Sequence, residues 1–163
     1  LSHSSAASDV YKRQPSGVAT IGISGLASAG FFGVGTIYAI KSGLSVSETA
    51  LFMTLFIGFG ALSQWPLGWL SDRIDRRKVI LLCCSMVIGL CIILALFDFS
   101  KTTFLILNGL IGATTLPLYS LGVAQTNDRL KLSQMVSASG TIIFVYSVFA
   151  ALGPFTMLSL IHI

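Results

Sequence analysis

Apolar residues along this chain come in long blocks rather than at a period of two or of three to four. Five runs carry no charged residue: 18–40, 50–70, 79–97, 103–124 and 135–157, separated by short polar turns. At a helical rise of about 1.5 Å per residue, each reaches roughly 30 Å or more, the thickness of a bilayer's hydrocarbon core. A helix that is apolar all round is surrounded by lipid or by other helices, not half-exposed to water. The pattern therefore predicts an all-α chain, a polytopic transmembrane bundle of about five helices.

Composition changes this picture only by strengthening it. The chain is 54% hydrophobic and 10% charged, with a mean hydropathy of +0.87. A soluble domain carries roughly a quarter charged residues, so this one could not clothe a water-facing surface. The net charge of +4 comes mainly from one loop and one terminal tail, which excludes a nucleic-acid footprint. Cys83, Cys84 and Cys91 all fall in one apolar run, without a disulfide framework or metal-ligand spacing. They read as small apolar helix residues. The two histidines, His3 and His162, lie in the terminal tails. No His/Cys/Asp cluster, nucleophile elbow or phosphate-cradling loop is present, and Gly33-Val34-Gly35 lies inside an apolar run. No enzyme activity, cofactor or metal is expected.

The tails differ from the rest. Residues 1–14 are polar and resemble translated adapter sequence, as does 158–163; both are expected to be non-native and are set aside. The credible region is 15–157.

Within the runs, the first carries Gly22, Gly25, Gly30, Gly33 and Gly35, small residues suited to close helix contact in lipid. Ser47 is the expected N-cap of the second helix, and Pro66 is expected to kink it near its end. Basic residues set the orientation. Loop 71–78 holds Arg73, Arg76, Arg77 and Lys78, and loop 125–131 holds Arg129 and Lys131; the alternate turns hold only Lys41 and Lys101. The positive-inside rule puts the first pair of loops in the cytoplasm.

One loop has a detailed pattern. Gly68-Trp69-Leu70-Ser71-Asp72-Arg73-Ile74-Asp75-Arg76-Arg77-Lys78 resembles the signature G-x-L-[AS]-D-R-x-G-R-[RK] of the major facilitator superfamily, found between the second and third helices of each six-helix half. Asp75 departs from it by replacing a glycine; Asp tolerates a left-handed backbone, so a tight turn is expected to survive. Gln64-Trp65-Pro66-Leu67-Gly68 and Gly43-Leu44-Ser45 are similar to a bacterial YcaD-like subgroup. On that resemblance the five runs are helices seven to eleven of twelve, a partial carboxy-terminal half.

The resemblance implies a multi-pass transporter of the bacterial inner membrane that moves a small solute by alternating access. Its partners would be that solute, the bilayer and the absent amino-terminal half. The loop would form a conformational gate through Gly68, Asp72, Arg73, Arg76 and Arg77. Asp72 and Arg73 are favoured for the gate, with Asp72 facing a helix N-terminus of the other half. Topology alone accounts for Arg76, Arg77 and Lys78. Helices seven, eight, ten and eleven would line the cavity and the ninth would be peripheral. The candidate solute contacts are Tyr38, Gln64, Asn108, Tyr119 and Tyr146. Each has a structural alternative, as an interfacial aromatic, interhelical glue or packing. The set is neutral, which favours an uncharged or amphipathic solute, and small residues with neutral aromatics lean towards efflux.

The five runs contain no ionisable side chain of the kind proton coupling requires. A coupling group would lie in other helices, or the carrier is a facilitator. The rival reading is a non-transporting receptor or assembly partner that retains the fold. A polar constellation in the cavity favours transport; an entirely apolar cavity favours the rival.

Overall fold

A computed structural model describes residues 15–128, 130 and 132–161. The segment 1–14, with His3, and the last two residues, with His162, lie outside it. Arg129 and Lys131, two of the six basic residues that set the orientation, also lie outside. Among the described residues every regular element is a helix: α1 (Pro15–Lys41), α2 (Val46–Arg73), α3 (Arg76–Leu96), α4 (Lys101–Thr115), α5 (Pro117–Asn127) and α6 (Leu132–Ile161). Five spans are long and apolar enough to cross a membrane, with α4 and α5 together forming the fourth.

The turns show why the helices begin where they do. Gly43, at φ +81°, takes the left-handed turn that closes α1. The cap of α2 is Ser45, not Ser47. Its hydroxyl accepts the Glu48 N–H at 3.3 Å and its own N–H donates to Glu48 Oε2 at 2.7 Å. Glu48 stands three residues after Ser45, the spacing a reciprocal capping box needs, and Ser47 has no such partner at its own N3. Lys101, opening α4, reaches the same carboxylate at 2.9 Å and ties the starts of α2 and α4.

Asp75 also departs from expectation. It is not left-handed; its φ is −55°, and its carboxylate caps α3 by accepting the Arg77 N–H at 3.0 Å. The connection leaves α2 through an extended Ile74, so no residue there needs the conformation a glycine would supply. Pro66 sits inside α2.

In the fourth span, Pro117 removes a donor from the ladder, and the span divides at Leu116 although Leu116 itself remains in the right-handed helical region. The division separates two packing partners. α4 lies mainly against α2, and α5 lies mainly against α1. α1 and α6 form the other extensive pair.

Small residues let these backbones approach. A Cβ on Gly25 would stand 2.6 Å from the Tyr146 carbonyl oxygen of α6, and one on Gly112 would overlap the Phe56 backbone of α2. Side chains then bridge the α2–α4 seam. Asn108 Nδ2 donates to the Phe52 carbonyl at 2.7 Å, and Ser63 Oγ donates to the Ala113 carbonyl at 2.6 Å. Without water to compete, such bonds are the polar glue of a membrane bundle. α3 is peripheral: only Val79, Ile80 and Cys83 are buried, against Leu118 and Leu121 of α5, while Leu81, Ile88, Ile92 and Leu96 are exposed.

Candidate functional site

The solute candidates separate into two places. Gln64 of α2, Tyr119 of α5 and Tyr146 of α6 meet around a cavity of about 350 Å³, which Ser28 and Phe32 of α1 and Ser120 of α5 also line. Tyr119 and Tyr146 close it with an edge-to-face pair, ring centroids 5.0 Å apart and planes at 71°. Four spans thus contribute one face. Gln64 and Ser120 continue into an adjoining cavity of about 210 Å³ that reaches Gly68, Ser71 and Asp72. The face therefore runs from the aromatic pair to the 71–78 loop, with hydroxyl and carboxamide groups set among apolar side chains such as Leu116, Ile143, Pro117 and Leu121 and, at its far end, one carboxylate.

Tyr38 and Asn108 lie elsewhere. They line a cavity of about 390 Å³ among α1, α2, α3, α4 and the end of α6, walled by Phe31, Phe52, Phe56 and Phe104. The rings of Phe31 and Phe56 stack with centroids 3.6 Å apart. Phe32, the next residue along α1, meets Phe56 edge-on from the first cavity's side. A layer of three phenylalanines thus stands between the two spaces. Tyr38 is half exposed beside Phe104, and the Asn108 amide is committed to the Phe52 carbonyl. Cys91 borders this second cavity from α3.

Sequence reasoning did not single out Ser28, Phe32 or Ser120 as solute contacts. Serine and phenylalanine are common in apolar runs, and only the packing reveals which of them face a space. Among the described residues no three His, Cys, Asp or Glu side chains converge as metal ligands.

The loop is built around Arg76. Its guanidinium meets Asp72 Oδ1 at 2.7 Å and Asp128 Oδ1 at 3.3 Å. The arginine side chain is 18% exposed, against 70% and 52% for the two acids. Asp72 and Arg76 are four residues apart, a spacing that keeps their side chains within reach across the α2–α3 turn. Asp128 closes α5, so one arginine links three helix ends. Arg73 points elsewhere, because neighbours on a helix diverge by about 100°. Its guanidinium lies 3.9 Å over the Trp69 ring. Within this chain Asp72 is held by Arg76, while Arg73, the other residue favoured for the gate, makes its contact with Trp69. Arg77 and Lys78 are exposed. Asp128 was visible in the sequence only as the acid of its loop, with nothing to mark its partner.

The fold defines a polytopic α-helical membrane protein with a signature loop clasped at one end. The family model of the Major Facilitator Superfamily matches residues 6–163, and the chain belongs to that superfamily. Similar curated relatives carry the name "Uncharacterized MFS-type transporter YcaD". The protein from Escherichia fergusonii is 26% identical over 142 residues, covering 86% of this chain and 36% of the relative. That from Escherichia coli (strain K12 / DH10B) is 27% identical over 133 residues, covering 81% and 34%. That from Salmonella arizonae is 26% identical over the same length. The chain spans about a third of the length of these relatives. No solved structure matches it.

Proposed function

We propose that α1 to α6 are helices seven to eleven of a twelve-helix secondary transporter in the bacterial inner membrane. It carries a small neutral solute by alternating access, with export the favoured direction. The observation that carries this reading is the face shared by α1, α2, α5 and α6, where Ser28, Gln64, Tyr119, Ser120 and Tyr146 open onto one cavity. Buried apolar packing has no use for five convergent polar side chains, whereas a passing solute needs hydrogen-bond partners that it can leave again. Tyr119 and Tyr146 supply aromatic surface, Gln64 both donor and acceptor, and the two serines hydroxyls. Neutral groups at this position argue for a solute without formal charge.

Gating falls to the loop. Arg76 bridging Asp72 and Asp128 ties the α2–α3 turn to the end of α5, so movement of that turn against α5 must break one of the two ion pairs. On this reading loops 71–78 and 125–131 face the cytoplasm, residues 15–157 are the native region, and the transporter performs no covalent chemistry.

The test is solute counterflow in proteoliposomes containing the full-length transporter that bears these residues. Substituting Gln64→Ala together with Tyr146→Phe is expected to lower flux of the preferred neutral solute at least tenfold, about the effect of losing 1.4 kcal/mol of binding. A transporter whose flux is indifferent to both changes does not use this face.

A further inference from the structure

The basic residues of the 71–78 loop divide into two kinds, and the second kind assembles a surface outside the Asp72–Arg76–Asp128 clasp. Arg76 is taken up by two carboxylates and largely shielded. Arg73, Arg77 and Lys78 are exposed and make no ion pair among the described residues. Of the neighbouring acids, Asp72 beside Arg73 is held by Arg76, and one oxygen of Asp75 is engaged by the Arg77 N–H. Counting the clasp as well, Arg73, Arg76, Arg77 and Lys78 against Asp72, Asp75 and Asp128 still leave positive charge in excess.

Charge alone would serve topology. Two further observations point to a ligand. First, Arg73 is stacked on Trp69 at 3.9 Å, and Trp69 is 49% exposed with Ile74, 46% exposed, next to it in the chain. A topogenic arginine needs no aromatic platform, and a water-facing loop gains nothing from an exposed tryptophan and isoleucine. Second, α2 runs 28 residues, about 42 Å at 1.5 Å per residue, against a hydrocarbon core of about 30 Å. Its last turn, Trp69 to Arg73, therefore stands at headgroup depth. Amphipathic rings settle there, and basic side chains reach phosphate oxygens.

We propose that Trp69, Arg73, Arg77 and Lys78 form a binding surface for the phosphate of an anionic phospholipid headgroup, with Trp69 and Ile74 against its glycerol and upper acyl region. Arginine on an aromatic face keeps its outer N–H groups free, and its planar fork matches two phosphate oxygens. The lipid would sit beside the Asp72–Arg76–Asp128 clasp without competing for it, because the clasp's arginine is already satisfied.

Trp65 and Trp69 are the chain's two tryptophans, which makes the test direct. In the full-length transporter, with Trp65 and every tryptophan outside this chain replaced by Phe, the protein is placed in phosphatidylcholine vesicles, and Trp69 fluorescence is titrated with phosphatidylglycerol or phosphatidylcholine brominated near the head of the acyl chain. Phosphatidylglycerol is expected to quench at lower mole fraction. Arg73→Gln/Arg77→Gln/Lys78→Gln is expected to weaken that preference about tenfold or more, since each basic residue at a membrane surface contributes several-fold. Lys41→Gln/Lys101→Gln, at the opposite ends of the helices, is expected to leave it intact. The charge-conserving Arg73→Lys/Arg77→Lys, which guards against a folding defect, is expected to retain most of it. Equal quenching by both lipids, or a preference that survives the triple substitution, overturns the proposal and leaves the charges to topology. Loss of the preference on adding millimolar inorganic phosphate at constant ionic strength overturns the lipid assignment in favour of a free-phosphate site.

Discussion

Gly112→Ala is the substitution whose consequence the structure determines most tightly. A Cβ at this position would overlap the Phe56 carbonyl and Cα of α2. The obstacle is backbone, so no side chain can swing aside; α2 and α4 must separate. Separation lengthens the two short bonds across the seam, Asn108 to Phe52 and Ser63 to Ala113. Overpacking costs about 1–3 kcal/mol, and an interhelical bond in a membrane bundle contributes about 0.6 kcal/mol. The expected loss is thus about 2–4 kcal/mol. The control is Gly58→Ala on α2, where nothing lies within 4 Å of the added carbon and helix propensity alone acts, for a gain of up to about 1 kcal/mol. Both variants in mixed micelles, unfolded by increasing mole fraction of sodium dodecyl sulfate and followed by circular dichroism, give the difference. A Gly112→Ala protein within about 0.5 kcal/mol of Gly58→Ala would refute the close α2–α4 contact.

Three further outcomes follow from named contacts. Arg76→Gln and Asp128→Asn should be non-additive: a double-mutant cycle is expected to return a coupling of about 0.2–1 kcal/mol that shrinks in high salt, as for a partly exposed pair. A coupling of zero at low salt would mean that the two groups do not meet. Ser45→Ala should destabilise α2 by about 1 kcal/mol, while Ser47→Ala should cost almost nothing; the reverse order in the same unfolding assay would restore Ser47 as the cap. Cys91, exposed at the edge of the Tyr38–Asn108 cavity, should react with a membrane-permeant maleimide, while buried Cys83 stays unmodified until the protein is unfolded. Equal labelling of both, read by peptide mass spectrometry, would contradict the burial of Cys83 against α5.

Much of this molecule was legible along the chain because lipid is an undemanding solvent to read. A helix that must satisfy its own backbone in hydrocarbon needs an uncharged run of about twenty residues, and each of the five runs coincides with one span to within a few residues. The loop motif was equally plain, since six charges between two apolar runs have no other place to be. Local rules failed only where two candidates competed. Ser45 and Ser47 both suit a cap, and the choice fell to whichever had Glu48 three residues on. Asp75 was read as a turn residue because it replaces a glycine, but a carboxylate ahead of a helix can also cap it, and here it does.

What the chain could not disclose was which side chains meet. Periodicity gives little help when a helix is apolar on every side, so nothing in the sequence said that Tyr119 faces Tyr146 while Tyr38 lies behind a phenylalanine layer. Nor did it show that Asn108 is spent on the Phe52 carbonyl or that Ser28 and Ser120 line a cavity. Arg76 is the sharpest instance. As sequence it is one of three adjacent bases explained by topology, and as structure it is the residue that joins Asp72 to Asp128. Hydropathy is a property of a segment and survives reading in one dimension. Contact depends on the crossing of segments, and that was decided by where glycines let two backbones touch.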